Sequence, residues 1–407
     1  MSNKLPSPAR AKTNRPQIAI AGGGIGGLAL AIALHKQGFA PVVFEKKTAE
    51  QIRTEGVFLT LAPNGVNALR VFGLADRVIA AGVNTRGLRM FNERGKQLSL
   101  MDYGTHRARF GAPSVTIRRG TLGGELLDAA FEAGLDLRFG RGVEDVEVRS
   151  DGVVIDQSEL FDALIGCDGL RSFVRRSIFP ELPQPRYSGL IGTGGVHHVE
   201  GVAPTNGLMH MTFGTKAFFG YLADPGQPVM WFNTYPAPES AAGPVQDPKW
   251  YARFIEGLHR DDPLDNARIM AAVPEIDRHY PIYDMPELEH WFKGRVLLMG
   301  DAAHAVAPHS GQGASMAIED ALVLAATLAS EPDIEAAFRQ FFRLRHDRTQ
   351  TVIKMGRMAG SQKHAQSWLE LRIRDLILPL VMPMGVKAQE RVFKFRPDLN
   401  PLAQPVQ

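Results

Sequence analysis

The chain has 407 residues, of which 44% are hydrophobic and 22% are charged, and its net charge is +3. These proportions are typical of globular protein, and the length suffices for one large domain or two interleaved domains. Basic and acidic residues are mixed along the chain, which argues against a nucleic-acid-binding surface. Cys167 is the only cysteine, so an intrachain disulfide is excluded and a cytoplasmic location is expected.

Neither terminal segment carries a targeting or membrane signal. Residues 1–16 are basic and lack the apolar stretch of a signal peptide, so we predict a disordered tail there. The longest apolar run, at residues 376–384, is interrupted by Pro379 and Pro383, and it falls short of the roughly 20 residues that a membrane-spanning helix needs. We therefore expect no stable membrane insertion, and a monomer or a homodimer.

The first predicted elements form a β–α–β unit. Residues 17–21 are a short apolar run, residues 26–37 have helical periodicity, and residues 41–45 are typical of a second strand. Further helices are predicted at 63–72 and 121–133, and further strands at 144–148, 153–156 and 162–166. The turn Ser150-Asp151-Gly152 between two of these strands indicates a hairpin.

The amino-acid composition and the predicted secondary structure change twice in the second half of the chain. Residues 187–283 are richer in aromatic residues, glycine and proline, and their short alternating runs predict a mostly antiparallel sheet. A strand at 295–299 and helices at 315–330 and 334–354 follow. The predicted fold class is therefore α/β, with a Rossmann-like nucleotide domain built from both ends of the chain, an inserted β-sheet domain and C-terminal helices.

A glycine-rich loop joins the first strand to the first helix. Gly22, Gly24 and Gly27 satisfy the pattern G-x-G-x-x-G, which permits a tight turn, a close approach of backbone to a pyrophosphate, and packing of helix on strand. Glu45 ends the second strand about 20 residues later, where a carboxylate accepts hydrogen bonds from ribose hydroxyls. The alternative is a glycine-rich turn that serves packing alone. Strand, helix and acid together favour dinucleotide binding.

Two further positions are ambiguous by themselves. Arg119 stands where a helix begins, and taken alone it is best interpreted as a solvated surface arginine. Asp168 and Gly169 follow an apolar strand and lead into a helix. An aspartate there either caps the helix or contacts a ligand.

The third motif is a strand that ends in Gly300 and Asp301. Asp301 is positioned to bind a polyol hydroxyl, and the glycines at 311 and 313 leave backbone N–H groups at a helix N-terminus available for an anion. His304 and His309 lie in the same segment, but they lack the spacing of metal ligands, so we predict structural or loop roles for them and no metal site.

In this order, the three motifs resemble those of the para-hydroxybenzoate hydroxylase-like (class A) FAD-dependent monooxygenases, over about residues 17–350. The resemblance implies FAD as cofactor and NADPH or NADH as a transient reductant. It implies that Arg119 contacts FAD and that Asp301 holds the ribityl chain. The cofactor-binding residues it implies are Gly22, Gly24, Ile25, Gly26, Gly27, Glu45, Arg119, Asp168, Asp301, Pro308, Gly311, Gly313 and Ala314.

The resemblance also divides the chain. It implies an FAD-binding domain at residues 17–186 and 284–360, which includes some strands of the substrate sheet within 50–118, a substrate-binding sheet at 187–283, and a C-terminal helical segment at 361–407. Two positions near the expected flavin edge depart from the family pattern. Phe58 replaces a glycine, and Ser315 stands where many relatives carry asparagine.

The activity implied is hydroxylation of a small phenolic or polycyclic aromatic compound by O₂, through the C4a-hydroperoxide of the flavin. The chemistry belongs to FAD, so no catalytic residue is predicted. Substrate-pocket candidates are Phe213, Phe219, Tyr221, Trp231 and Pro308, although any one of these aromatic residues can equally be core. Polar anchors are scarce in that segment, which favours an apolar substrate.

Two alternatives remain open. A Baeyer–Villiger or epoxidising monooxygenase of the same fold carries the same motifs. A non-catalytic flavin-binding interaction protein is the other, using residues 368–393 as an interfacial helix. Pro379 and Pro383 interrupt any long amphipathic face there, which favours packing over the pocket or at a dimer contact instead.

Overall fold

The computed structural model describes residues 15–361, 363 and 367–400. The predicted tail at residues 1–16 lies outside the described residues, apart from Arg15 and Pro16. The strands are β1 Ile18–Ala21, β2 Val42–Glu45, β3 Phe58–Leu61, β4 Val83–Thr85, β5 Gly87–Asn92, β6 Gln97–Asp102, β7 Ser114–Arg118, β8 Asp136–Phe139, β9 Val146–Val148, β10 Val153–Ile155, β11 Glu159–Phe161, β12 Ala163–Gly166, β13 Arg186–His197, β14 Leu208–Phe213, β15 Phe218–Leu222, β16 Val229–Pro236, β17 Tyr280–Asp284, β18 Phe292–Lys293 and β19 Val296–Leu298.

The helices alternate with these strands at both ends of the chain. They are α1 Ile25–Lys36, α2 Ala49–Thr54, α3 Pro63–Val71, α4 Ala75–Ala81, α5 His106–Phe110, α6 Arg119–Glu132, α7 Phe173–Ile178, α8 Pro248–His259, α9 Asn266–Ala271, α10 Asp301–His304, α11 Gly313–Ser330, α12 Ile334–Ser361 and α13 Trp368–Phe393. Short 3₁₀ turns occur at Glu239–Ala241 and Pro308–Ser310.

A six-stranded sheet in the order β18-β19-β12-β1-β2-β8 carries the nucleotide motifs. Its strands run parallel except for the edge strand β18. Its central strands are buried apolar runs, as expected of a sheet covered on both faces. Because parallel strands end at the same edge, the loops after β1, β2, β12 and β19 meet there. This arrangement confirms the predicted Rossmann-like fold.

The second large sheet is seven-stranded, in the order β17-β13-β16-β15-β14-β5-β6. It is mostly antiparallel, as predicted, and its one parallel pair joins β14 to β5. One face packs against α8 and α9, which the sequence interpretation of this segment as a sheet did not include. The other face is turned toward the nucleotide motifs, so the sheet has a core side and a site side.

Helix α11 is apolar because it runs through the core. Among the described residues it is the one helix long and apolar enough to cross a membrane, but 78% of it is buried inside the protein. It packs against α1, α3 and α12. Its composition is therefore that of a core helix.

Helix α13 is continuous across the two prolines of the C-terminal segment. It runs from Trp368 to Phe393 through both Pro379 and Pro383. Each internal proline removes one backbone hydrogen bond, but the helix is supported by packing against β6, α3 and α12. Its N-terminus has a capping box between Ser367 and Glu370.

Candidate functional site

A cavity of about 1290 Å³ is lined by residues from both large sheets. Single-ligand pockets usually measure roughly 300–1,000 Å³, so this one has room for a cofactor and a second molecule. Of the predicted cofactor-binding residues, all except Gly27 line it: Gly22, Gly24, Ile25, Gly26, Glu45, Arg119, Asp168, Asp301, Pro308, Gly311, Gly313 and Ala314.

The glycines of the first motif divide into two kinds. Gly22 has φ +102°, and a Cβ there would lie 2.5 Å from the carbonyl oxygen of Cys167. A Cβ on Gly27 would collide with the carbonyl oxygen of Gly22. Gly24 has an ordinary φ of −73°, and a Cβ there would meet nothing within 4 Å. Packing therefore requires Gly22 and Gly27, whereas the space beside Gly24 belongs to the cavity.

Glu45 is fixed at the end of β2 by the glycine-rich loop itself. One carboxylate oxygen accepts a hydrogen bond of 2.6 Å from the backbone N–H of Gly23, and the other accepts one of 2.8 Å from Lys47 N–H. The residue is 7% exposed. The carboxylate is thus oriented toward the cavity with its negative charge stabilised by backbone donors.

The two carboxylate oxygens of Asp168 have different surroundings. Its Oδ2 accepts a hydrogen bond of 3.0 Å from Val174 N–H at the start of α7, which is the capping role considered above. Its Oδ1 is buried and has no hydrogen-bond partner in the described part of the chain. A buried acceptor without a partner is costly, so a ligand donor in the cavity would satisfy it.

Asp301 and the start of α11 form the opposite wall. Gly300 adopts φ +60° and turns the chain so that the exposed Asp301 opens onto the cavity. A Cβ on Gly311 or Gly313 would meet nothing within 4 Å. The first N–H groups of α11 lack a side-chain cap, and such groups stabilise negative charge.

Arg119 lies along the cavity at the first position of α6. Its guanidinium is 3.4 Å from the carboxylate of Glu55, which also pairs with Lys47. Gly56, with φ +74°, packs directly against the arginine side chain. The isolated interpretation of Arg119 as a solvated surface residue is therefore incomplete, since one side of it borders the cavity.

The site side of the seven-stranded sheet, together with β3, forms an aromatic wall. We use this name for Phe58, Phe213, Phe218 and Phe232, all of which line the cavity. Phe218 and Phe232 have ring centroids 5.9 Å apart, and Phe58 meets Phe232 edge to face at 6.0 Å. Phe58, which departs from the family pattern, thus belongs to this wall.

Three of the predicted substrate-pocket residues were assigned to the wrong face. Phe219, Tyr221 and Trp231 do not line the cavity and instead pack in the core beneath α8 and α9. Phe219 stacks on Trp231 at 6.0 Å with an interplanar angle of 6°. Successive strand residues face opposite sides of a sheet. The strand pattern alone does not show that α8 and α9 cover the side to which these three residues point. Of the candidates, Phe213 and Pro308 line the cavity.

Ser315, the other departure from the family pattern, is explained by packing. It is fully buried on α11, and its hydroxyl and Cβ lie directly against the position a side chain on Gly65 of α3 would occupy. A small residue at 315 and glycine at 65 allow the two helices to approach closely. This is a contact between helices rather than a contact with the cavity.

His304 has a carboxylate partner that sequence spacing did not reveal. Its Nε2 lies 2.6 Å from Oδ2 of Asp320 on α11, and both residues are buried. Arg345 of α12 pairs with the same Asp320 and with Glu319. Against the opposing effect of burial, Arg348 and Arg345 hold the pKa of Glu319 low, and His304 and Arg345 hold that of Asp320 low. This network ties α10, α11 and α12 together beneath the cavity wall.

Sequence reasoning also missed Lys363, which follows α12 and lines the cavity. Its Nζ lies 3.0 Å from Nδ1 of His309 and 3.7 Å from the ring centroid of Phe218. No local pattern announces it, because the lysine comes from a connection more than fifty positions away from His309 in sequence. It brings a cation to the aromatic wall.

A family model described as an FAD binding domain matches residues 15–354. The chain belongs to this family. The flavoprotein is 33% identical over 384 residues to the aurachin C monooxygenase/isomerase of Stigmatella aurantiaca, covering 92% of this chain and 96% of that protein. It is 29% identical to a 3-amino-4-hydroxybenzoate 2-monooxygenase of Streptomyces platensis, covering 90% and 93% of the two chains.

Other relatives agree with this assignment. An FAD-dependent urate hydroxylase of Klebsiella pneumoniae subsp. pneumoniae is 28% identical, covering 85% of this chain and 90% of that protein. The solved structure of Klebsiella pneumoniae HpxO complexed with FAD and uric acid has a TM-score of 0.81 at 24% identity, covering 95% and 98%, which supports the fold. The flavoprotein is an FAD-dependent monooxygenase, as the resemblance implied, and NAD(P)H is the reductant typical of its family.

The cavity fits FAD on structural grounds. Open space beside Gly24, Gly311 and Gly313 leaves backbone accessible at three places along its length. The unpartnered oxygen of Asp168 and the oriented carboxylate of Glu45 are acceptors for hydroxyl or amide donors. An extended ligand with phosphates and two polyol groups matches this distribution.

Proposed function

We propose that the flavoprotein hydroxylates a largely apolar aromatic compound, phenolic or polycyclic, held between the aromatic wall and the loop at Pro308. The observation that carries this proposal is the aromatic wall itself, which adjoins the segment leading into α11 within one cavity. Methionines 90, 101, 209 and 211 line the same region and adapt to flat rings.

The cofactor contacts proposed follow the geometry of each motif. Gly24 and the N-terminus of α1 would bind the pyrophosphate. Glu45 would accept hydrogen bonds from the ribose hydroxyls of the adenosine half. The unpartnered Oδ1 of Asp168 would accept a hydrogen bond from the cofactor. Arg119 would contact the cofactor from α6, and Asp301 would hold the ribityl chain. Gly22 and Gly27 would act by shaping the loop.

When bound, FAD supplies the redox chemistry that reduces O₂ and transfers one oxygen atom. The protein's contributions are positional and electrostatic. The N–H groups of Gly313 and Ala314 would stabilise negative charge on the pyrimidine side of the flavin. Pro308 and the aromatic wall would exclude water from the reacting end. The aromatic wall would also hold the substrate ring in one orientation.

The electrons and oxygen atoms of the overall reaction balance when NAD(P)H, the reductant typical of the family, is the electron donor. NAD(P)H supplies two electrons, one oxygen atom of O₂ enters the substrate as a hydroxyl group, and the other leaves as water. No residue of the chain is required to change its oxidation state. We further propose a cytoplasmic enzyme, monomeric or homodimeric, in keeping with the lone cysteine.

A screen of phenolic and polycyclic compounds tests this function. NAD(P)H consumption in air is followed with each compound, and products are analysed by mass spectrometry. We expect at least one polycyclic or phenolic compound to stimulate consumption and to gain one oxygen atom as a hydroxyl group. A product that is a lactone or an epoxide would contradict hydroxylation, and NAD(P)H consumption that yields only H₂O₂ with every aromatic compound would contradict the substrate class.

A further inference from the structure

Lys363 occupies an unusual position for a lysine. It is half-buried, it lines the cavity, and its ammonium group lies over the ring of Phe218 at 3.7 Å and near that of Phe232 at 5.6 Å. In the described part of the chain no carboxylate forms an ion pair with it. Lysine is rarely buried without such a partner, since removing an ammonium group from water is costly.

Lys363 also contacts the imidazole of His309. Its Nζ lies 3.0 Å from Nδ1 of His309, and the imidazole ring packs over Gly360, where a side chain would collide with it. His309 belongs to the 3₁₀ turn that begins at Pro308. The lysine is therefore fixed between the loop beside the expected flavin ring and the aromatic wall.

The other cationic side chains of the cavity stand elsewhere. Lys46 follows Glu45, Lys47 and Arg119 pair with Glu55 near the glycine-rich motif, and Arg171 and Arg176 belong to the segment after Asp168. These positions suit the phosphates and sugars of the cofactor. Lys363 is separate from them, among apolar rings where a substrate would lie.

We propose that Lys363 is the substrate-anchoring residue, binding the ionised oxygen of a phenol or enol and so turning one edge of the ring toward His309. This inference rests on the proposed function, because it assigns the specificity of the same pocket. The hydrogen bond to His309 and the face of Phe218 leave at least one N–H of the ammonium for the ligand. A charge-assisted hydrogen bond in an apolar cavity is strong and directional.

The proton is accounted for within the pair. The neutral amine form of Lys363 accepts the proton of a neutral phenol, so the O–H bond breaks, an N–H bond forms, and the resulting ammonium–phenolate pair carries no net charge. Burial lowers the pKa of Lys363 to about 7, so its neutral amine accepts a proton readily only from a phenol or enol whose hydroxyl is comparably acidic. An ionised phenol is richer in electrons on its ring, which favours attack by an electrophilic oxygen.

Two probes that differ by one methyl group separate anchoring from simple packing. 4-Nitrophenol has an acidic hydroxyl whose ionisation changes its absorbance, and 4-nitroanisole carries a methyl ether in its place. Equilibrium dialysis with the FAD-loaded protein gives both affinities, and difference absorbance gives the ionised fraction. The proteins compared are the parent chain, Lys363→Met, Lys363→Arg, and Lys354→Met as a control at an exposed lysine of α12.

We expect the parent chain and Lys354→Met to bind 4-nitrophenol as its anion, about 10-fold or more tightly than 4-nitroanisole. Lys363→Met should lose this preference while keeping its FAD and its affinity for 4-nitroanisole, and Lys363→Arg should retain part of it. A preference for 4-nitrophenol over 4-nitroanisole that persists in Lys363→Met overturns the inference. So does equal binding of the two probes, or no binding of 4-nitrophenol, in the parent chain.

The outcomes for the pocket and for the activity are distinguishable. If Lys363 controls the preference but no aromatic compound is hydroxylated, the proposed function fails and the anchoring role stands. If an aromatic compound with an acidic hydroxyl is hydroxylated and Lys363→Met leaves its KM unchanged, the anchoring role fails and the proposed function stands.

Discussion

Gly27 faces the carbonyl oxygen of Gly22 so closely that a methyl group on Gly27 would overlap that oxygen, whereas a methyl group on Gly24 would meet no atom of the protein within 4 Å. The two glycines belong to one motif and yet differ in what requires them. At Gly27 the requirement comes from the packing of α1 on β1. At Gly24 it can come only from something held in the cavity.

Substitution by alanine separates these two requirements. Gly24→Ala should fold with unchanged secondary structure and thermal stability as the apoprotein, because its φ of −73° suits alanine. Its affinity for FAD should fall by more than about 10-fold, since the methyl group occupies the approach to the pyrophosphate. Gly27→Ala should lose at least about 1–3 kcal/mol of unfolding free energy. Retention of FAD by Gly24→Ala at normal affinity would contradict the assignment of this space to the cofactor.

Arg345 is predicted to be essential for stability rather than for chemistry. It is completely buried between Glu319 and Asp320. Arg345→Met would leave two buried carboxylates short of a counter-charge, and we expect a loss of about 3–5 kcal/mol in the free energy of unfolding. Arg343→Met, on the exposed side of the same helix, is the control and should change it by less than about 0.5 kcal/mol. Chemical denaturation of the FAD-loaded proteins measures both, and equal effects would refute a specific role for the network.

The sequence was most informative where a local pattern determines a local structure. The turn after β1, the acid at Glu45 and the Gly-Asp pair at 300–301 are short segments whose residue types and spacing are dictated by a strand ending at the edge of a sheet. The core helix α11 and the hairpin between β9 and β10 were likewise predictable from periodicity and turn chemistry.

The parts that escaped prediction depend on long-range packing. Which face of β15 meets the cavity is decided by α8 and α9, which lie later in the chain and cover the other face. Helix α13 persists through its two prolines because neighbouring elements support it. Lys363 reaches His309 through tertiary folding alone, since the two residues share no sequence pattern.

The two faces of the seven-stranded sheet predict opposite phenotypes for neighbouring residues. Phe232→Ala should weaken binding of the substrate identified by the screen about 10-fold, because it removes a ring from the cavity wall, while FAD is retained. Phe219→Ala should instead cost about 3–5 kcal/mol of stability, since Phe219 is fully buried against Trp231. Substrate titration and thermal unfolding of both variants check the assignment. The reverse pattern would mean that the strand faces are exchanged.

Buried His106 and half-buried His210 predict a loss of stability in mild acid. Burial, aided by the nearby charge of Arg109, lowers the pKa of His106 to about 4. Burial, aided by Arg89, does the same for His210. An unfolded histidine titrates near a pKa of about 6.5. Between about pH 6.5 and pH 4 the unfolded chain therefore binds more protons than the folded one, and the free energy of unfolding falls as the pH falls.

Variants of these histidines should flatten that dependence. For His106 the contribution is at most about 3 kcal/mol, at about 1.4 kcal/mol per pKa unit. His106→Gln and His210→Gln should each reduce the change in unfolding free energy between pH 6.5 and pH 5. The comparison is with His35→Gln at an exposed position of α1. The buried carboxyls of Glu319 and Asp320, whose pKa values are lowered, act at still lower pH. A pH profile from denaturant unfolding that is identical in all three variants would show that the histidines are not the groups responsible.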